Sequence, residues 1–298
     1  MFRIGLVGAG RMGQTHLTAL SSSTTVTVTD IVEPRSEVAA ALTADGYKVH
    51  SSIDGLLERG DVDGFLVATP SGFHVDVIRQ LAPAGLPILS EKPCGLTADD
   101  ALTVAAIAQE SGIRLQIGYW RRFVPAMLEL KNDIESGRFG RLLLVHASQW
   151  DYRPPGAEFR NSSGGILTDM GVHEIDVIHW LTGEAPSGIS GTAMMSTTPG
   201  VVDEDSAVFT LTLPSGTLGI ATLGRFYPEA DFVGIEVMGE EDHVRLNILE
   251  GDAGEVIQMA ALREQAESFA AGGTVHGATI DDAVAALRVV ALFTENSS

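Results

Sequence analysis

The chain has 298 residues, 45% hydrophobic and 19% charged, with 39 Asp+Glu against 19 Lys+Arg for a formal net charge of −20. That is the composition of a globular chain of one large or two ordinary domains, and its acidity excludes tracking a nucleic-acid backbone or an anionic membrane surface. A single cysteine, Cys94, excludes an internal disulfide and a thiolate metal cluster.

The N-terminal stretch runs straight into an apolar strand pattern with no charged-then-apolar leader, and no run of apolar residues is long enough to span a bilayer. A soluble cytoplasmic protein is expected. Apolar, β-branched runs at 2–7, 25–30, 64–68, 87–90 and 113–117 alternate with amphipathic stretches at 12–21, 34–44, 72–84 and 97–110. Alternation at this spacing predicts a doubly wound parallel sheet covered by helices on both faces, over residues 1–118.

Beyond residue 118 the rhythm changes. A helix at 125–136, a long strand at 141–150, a Pro/Gly/Ser-rich loop at 151–165 and a helix at 169–181 precede several consecutive strands between 187 and 248. Among these, 205–213 and 217–226 form a predicted hairpin about Pro214-Ser215-Gly216, and 232–238 and 243–248 another. Helices at 258–270 and 281–294 close the chain. The whole predicts an α+β second domain over 119–298, with the last helix packing back on the first domain.

Gly8-Ala9-Gly10-Arg11-Met12-Gly13 lies between a predicted strand and helix. In such a turn the first glycine permits the tight bend, the second admits a pyrophosphate, and the third lets helix pack on strand. The free N–H groups of the helix start then face the phosphates. The next strand ends at Asp30-Ile31, about twenty residues on, where a carboxylate binds ribose hydroxyls and favours NAD over NADP. Arg35 nearby keeps NADP open.

Glu91-Lys92-Pro93 follows the fourth run, at the edge where parallel sheets hold ligands, and Lys92 is one of only three lysines. The alternative is a surface lysine capping a strand. On a helix at 169–181, Asp169, His173 and Asp176 fall at about 0°, 40° and −20° around the axis. A histidine between two carboxylates suits a general base, although a capping Asp beside a surface His gives the same spacing. His179 lies about 120° from His173, so no convergent metal site is expected.

These motifs, with Ala68-Thr69-Pro70-Ser71-Gly72-Phe73-His74, Gly118-Tyr119-Trp120-Arg121-Arg122-Phe123 and Gly165-Ile166-Leu167-Thr168-Asp169-Met170-Gly171-Val172-His173, follow one another in an order that resembles the glucose–fructose oxidoreductase / inositol dehydrogenase / MocA family. The nearest likeness is to its inositol 2-dehydrogenase branch. The resemblance implies an N-terminal Rossmann domain, and a C-terminal α+β domain whose open, mostly antiparallel sheet builds a homodimer or homotetramer. It implies that Lys92, Asp169 and His173 are catalytic. Gly8, Gly10, Arg11, Met12, Gly13, Asp30, Ile31, Thr69, Pro70, His74, Glu91 and Lys92 would hold the cofactor. Trp120, Arg121, Asp151 and Asp176 would join Lys92, Asp169 and His173 around the substrate.

The activity so implied is NAD-dependent oxidation of a secondary hydroxyl of a cyclic polyol, an inositol or a pyranose sugar. An NADP-dependent reductase of a keto-sugar and a non-catalytic sugar-binding regulator are the alternatives. Two stretches depart from the family: 246–261 is shorter, and 149–160 shares little with the inositol enzymes. In the latter, Trp150, Asp151, Arg153, Glu158 and Arg160 are either specificity residues or loop surface.

Overall fold

The apolar runs of the N-terminal part pair side by side in parallel. They form strands β1 (Phe2–Val7), β2 (Val26–Val32), β3 (Lys48–His50), β4 (Gly64–Val67), β5 (Ile88–Ser90) and β6 (Leu115–Ile117), in the order β3-β2-β1-β4-β5-β6. This is the doubly wound Rossmann order, which reverses between β1 and β4 and opens a ligand crevice at the carboxyl ends there. Helices α1 (Arg11–Leu20), α2 (Ser36–Ala44), α3 (Ile53–Leu57), α4 (His74–Leu81) and α5 (Ala98–Ser111) make the crossovers. The computed structural model describes residues 1–58, 61–249, 251–273 and 276–296.

The second part carries α6 (Pro125–Glu135), β7 (Leu142–Trp150), α7 (Ala157–Ser162) and α8 (Val172–Thr182). Strands β8 (Gly188–Met195), β9 (Glu204–Thr212), β10 (Leu218–Gly224), β11 (Phe232–Gly239) and β12 (His243–Leu249) follow. Its sheet has the order β12-β11-β7-β10-β9-β8, antiparallel except for the β7–β10 pair, and both expected hairpins are present. Alternation on β9 buries Ala207, Phe209 and Leu211 on one face and turns Val208, Thr210 and Thr212 outward. α9 (Gly251–Ala270) and α10 (Ile280–Asn296) end the chain. Residue 250, inside the short 246–261 stretch, lies outside the described residues.

The division into two units differs from a cut at 118. The first unit comprises Met1–Gly95, Asp99–Trp120 and Met259–Asp281; the second comprises Leu96–Ala98, Arg121–Gln258 and Asp282–Ser298. The physical reason is apolar burial. Ala266 and Phe269 of α9 belong to the same core as Ile4, Leu6, Leu17, Val28 and Ile31, and Phe269 meets Phe2 edge-on at 6.0 Å. Full burial of a side chain like Phe269 contributes about 1.5–3 kcal/mol. The last helix was expected to return to the first domain; in this division α9 supplies packing there, and α10 from Asp282 onward falls in the second unit, where Phe293 meets Phe209 edge-on at 6.5 Å.

Candidate active site

In the first unit the carboxyl ends of β1, β2, β4 and β5 converge. Gly8 N–H donates to Val32 O, Ala68 N–H to Val7 O and Glu91 N–H to Val67 O, which sets the three loops level with one another. Gly8 has φ +95°, and a Cβ there would press to 2.9 Å on the backbone of Ala68 and Thr69. Gly13 is required for a different reason, since a Cβ would strike Gly8 O. A Cβ on Gly10 meets nothing within 4 Å, so the space over the start of α1 is open. The first turn of α1 has no side-chain cap. An uncapped helix start with room above it fits the pyrophosphate of a dinucleotide.

Three residues expected at the cofactor, Asp30, Ile31 and His74, are found in buried contacts. Asp30 lies two residues before the end of β2, fully buried, with Oδ1 2.8 Å from His50 Nε2, and Ile31 is part of the hydrophobic core. The acid at the turn is Glu33: its Oε2 accepts the Ala9 N–H at 3.2 Å, and Arg35 donates to both its oxygens. Those Arg35 hydrogen bonds hold the Glu33 carboxyl below the usual carboxylate range. His74 is likewise buried, with Nδ1 and Nε2 each 2.8 Å from a carbonyl oxygen, of Pro93 and Thr69 respectively. It ties the loop after β4 to the loop after β5, and burial pushes its pKa down.

Lys92 follows β5, and its N–H donates to Glu91 Oε2 at 3.2 Å. Glu91 Oε1 lies 2.6 Å from His16 Nε2 on α1, and the Lys92–Pro93 bond is cis. Trp120, expected at the substrate, is enclosed at the end of the first unit.

In the second unit Asp151 and Asp169 meet at the end of the parallel pair β7–β10. β7 and β10 run together to Trp150 and Gly224, so Asp151 and Arg225 leave adjacent strand ends, with Asp151 N–H donating to Gly224 O. Asp169 and His173 are not on one continuous α-helix. Leu167–Gly171 is a π-helical turn leading into α8, entered through Gly164 and Gly165, both at positive φ. Fixed 100° steps therefore do not carry from Asp169 to His173, and π turns recur at functional sites.

Asp169 Oδ2 accepts from Arg225 Nη1 at 2.7 Å, and Asp151 Oδ2 lies 3.4 Å from the same nitrogen. Burial pushes the Asp151 carboxyl above the ordinary carboxylate range, with Arg225 opposing it and Asp169 and Asp231 adding to it.

Asp176 and Arg121, both expected at the substrate, lie in buried ion pairs. Arg122 Nη2 and Nε donate to Asp176 at 2.5 and 3.1 Å, and Arg121 donates to Glu174 and Gln149, each at 2.5 Å. Of the loop residues, Arg160 is fully buried and bonded to Asp203 and Asp205, whereas Tyr152 is exposed. Glu33, Asp203 and Arg225 had no motif to mark them. A cue existed only for Glu33, an acid three residues beyond Asp30.

A doubly wound unit with an open glycine turn, joined to a mixed-sheet unit bearing an Asp/His segment, defines a dinucleotide-dependent oxidoreductase. Residues 2–119 match the family model described as an oxidoreductase family with an NAD-binding Rossmann fold, and residues 127–245 match the GFO/IDH/MocA C-terminal domain. The chain belongs to the GFO/IDH/MocA oxidoreductase family.

It is 42% identical over 299 residues to the rhizopine catabolism protein MocA of Rhizobium meliloti, across 99% of this chain and 94% of that protein. It is 30% identical over 227 residues to an inositol 2-dehydrogenase of Rhizobium meliloti (strain 1021), across 75% of this chain and 68% of that one. The fold is shared with scyllo-inositol dehydrogenase from Lactobacillus casei, solved with NAD(H) and scyllo-inositol bound. The TM-score is 0.84 at 24% identity, over 99% of this chain and 98% of that one. No helix among the described residues is long and apolar enough to cross a membrane.

Proposed function

We propose that this enzyme oxidises one secondary hydroxyl of a cyclic polyol, an inositol or a pyranose sugar, to the ketone. The observation that carries this is the second unit's strand-end site, where the side chains of Asp151 and Asp169 stay partly exposed in front of one buried guanidinium. A ring bearing many hydroxyls needs such acceptors, because any hydroxyl buried without one is costly. The inositol dehydrogenases among its relatives support the same substrate class.

Gly8–Gly13 hold the pyrophosphate on the N-terminus of α1, Glu33 takes the adenosine ribose, and Thr69, Pro70 and Glu91 line the cofactor's path. Bound NAD supplies the hydride acceptor. Lys92 donates a hydrogen bond to the reacting hydroxyl and relays its proton, and Asp169 fixes a substrate hydroxyl. His173 is the base that takes the proton, so that the O–H and C–H electron pairs are left as the carbonyl and the transferred hydride. The chain works as a cytoplasmic homo-oligomer through the face of the second sheet opposite α8, where Met194, Val208 and Leu218 stand exposed on the same side. Light scattering during gel filtration measures that assembly directly.

The deciding experiment follows NADH absorbance with a panel of inositols and aldoses, each offered NAD and NADP. Oxidation of at least one inositol or aldose with NAD supports the proposal. Failure across the panel, or oxidation with NADP alone, rejects it.

A further inference from the structure

Arg225 is wholly enclosed at the exit of β10, and it is the hub of a buried charge cluster in the second unit. Nη1 donates to Asp169 Oδ2 at 2.7 Å and faces Asp151 Oδ2 at 3.4 Å, while Nη2 is 3.3 Å from Asp203 Oδ2. Asp203, also enclosed, accepts from Arg160 Nε at 2.7 Å. Arg160 Nη2 in turn reaches Asp205 Oδ1 at 2.8 Å and Glu204 O at 3.0 Å. The cluster is layered: the side chain of Arg225 is 0% exposed, whereas those of Asp169 and Asp151 keep 14% and 21%.

Fold stability does not call for this arrangement. Taking two arginines out of water is expensive, and well-packed apolar residues commonly replace buried ion pairs at no loss. What apolar residues would not supply is direction. A partly exposed carboxylate on a short side chain rotates freely unless one oxygen is held, and holding one oxygen aims the other.

We propose that Arg225 is a positioning residue for the reaction: it fixes the Asp169 carboxylate from behind and, through Asp203 and Arg160, ties that orientation to α7. This rests on the reading of Asp169 as a group that touches substrate, and the test separates the two. In the full chain, Arg225→Met, Arg225→Lys, Asp203→Asn, Asp169→Asn and the double variant Arg225→Met/Asp169→Asn are compared, with myo-inositol and NAD as the probe pair.

Asp169→Asn should lower kcat about 100-fold, and Arg225→Met about 30-fold with KM for NAD within about twofold of the parent. Arg225→Lys should recover to within about fivefold of the parent, and the double variant should fall no more than about threefold below Asp169→Asn alone. A parent-like kcat in Arg225→Met, or a double variant in which the two losses multiply, overturns the proposal while leaving Asp169 catalytic. A parent-like kcat in Asp169→Asn removes the underlying reading instead, and the proposal with it.

Should circular dichroism show Arg225→Met unfolded, Asp203→Asn decides, since it loosens Arg225 without touching Asp169. A loss of about fivefold in kcat that vanishes in the Asp169→Asn background supports the proposal, and no loss overturns it.

Discussion

His16 and Glu91 meet inside the first unit, Nε2 of one 2.6 Å from Oε1 of the other, with both side chains enclosed. The pair joins the helix that starts at the phosphate turn to the residue before Lys92. Removing one member strands the other in a dry interior. Glu91→Ala should therefore cost about 1–3 kcal/mol of stability by urea unfolding. An unchanged urea midpoint would show that the contact holds nothing.

Lys92→Ala and His173→Ala should each lower turnover by roughly 100-fold or more, because each removes a proton-handling group. NADH binding, followed by its fluorescence, should be retained in both. Near-parent turnover in either variant would displace that residue from the site.

Glu33 and Asp30 separate cleanly by experiment. Glu33→Gln should weaken NADH binding about tenfold, whereas Asp30→Asn should leave it within about threefold, since the Asp30 carboxylate is committed to His50. The Glu33 carboxyl is lowered by Arg35, so its stabilising contribution is complete above the unfolded carboxyl pKa and is lost as pH falls through the folded one. The stability gap between the parent and Glu33→Gln should accordingly be open at neutral pH and close in acid. A gap that widens in acid contradicts the sign.

Gly10 and Gly13 carry opposite penalties. Gly10→Val points into open space, so thermal unfolding should stay close to the parent while NADH binding is lost. Gly13→Ala drives a methyl group onto Gly8 O and should lower the melting temperature instead. The same melting temperature in both variants would void the distinction.

Cys94 is buried, and its thiol is pushed up to about 12, chiefly by burial and further by Asp100. Iodoacetamide at pH 8 should leave it unmodified in the folded chain and alkylate it in denaturant, as mass spectrometry reads directly. Rapid alkylation of the folded chain would mean that the loop after β5 opens.

The parallel sheet was legible because its core strands are β-branched runs between amphipathic helices. β3 was missed, being a three-residue edge strand, Lys48-Val49-His50, with no apolar run to detect. Spacing alone picked Asp30 as the ribose acid. The pairing of Val7 with Val32 moves the end of β2 two residues later and makes Glu33 the acid at the turn. The π turn at Leu167–Gly171 has the apolar pattern of an ordinary helix, and its start is tied to a residue remote in sequence: the Ile166 N–H donates to Glu204 Oε2. Arg160 and Arg225 look like surface charges in a loop and at a strand end. Only tertiary structure reveals that each is enclosed among carboxylates.

The first unit takes part of its core from α9, and that has a consequence for how the molecule is made. Ala266 and Phe269 leave the ribosome only after the whole second-unit sheet has been synthesised. A nascent Rossmann unit waits with Phe2 uncovered by Phe269 for more than a hundred residues of elongation, and a gene fragment ending at residue 120 would leave that wound permanently open. Truncation, fusion and domain-exchange designs for this enzyme must keep residues 259–281 with the N-terminal sheet.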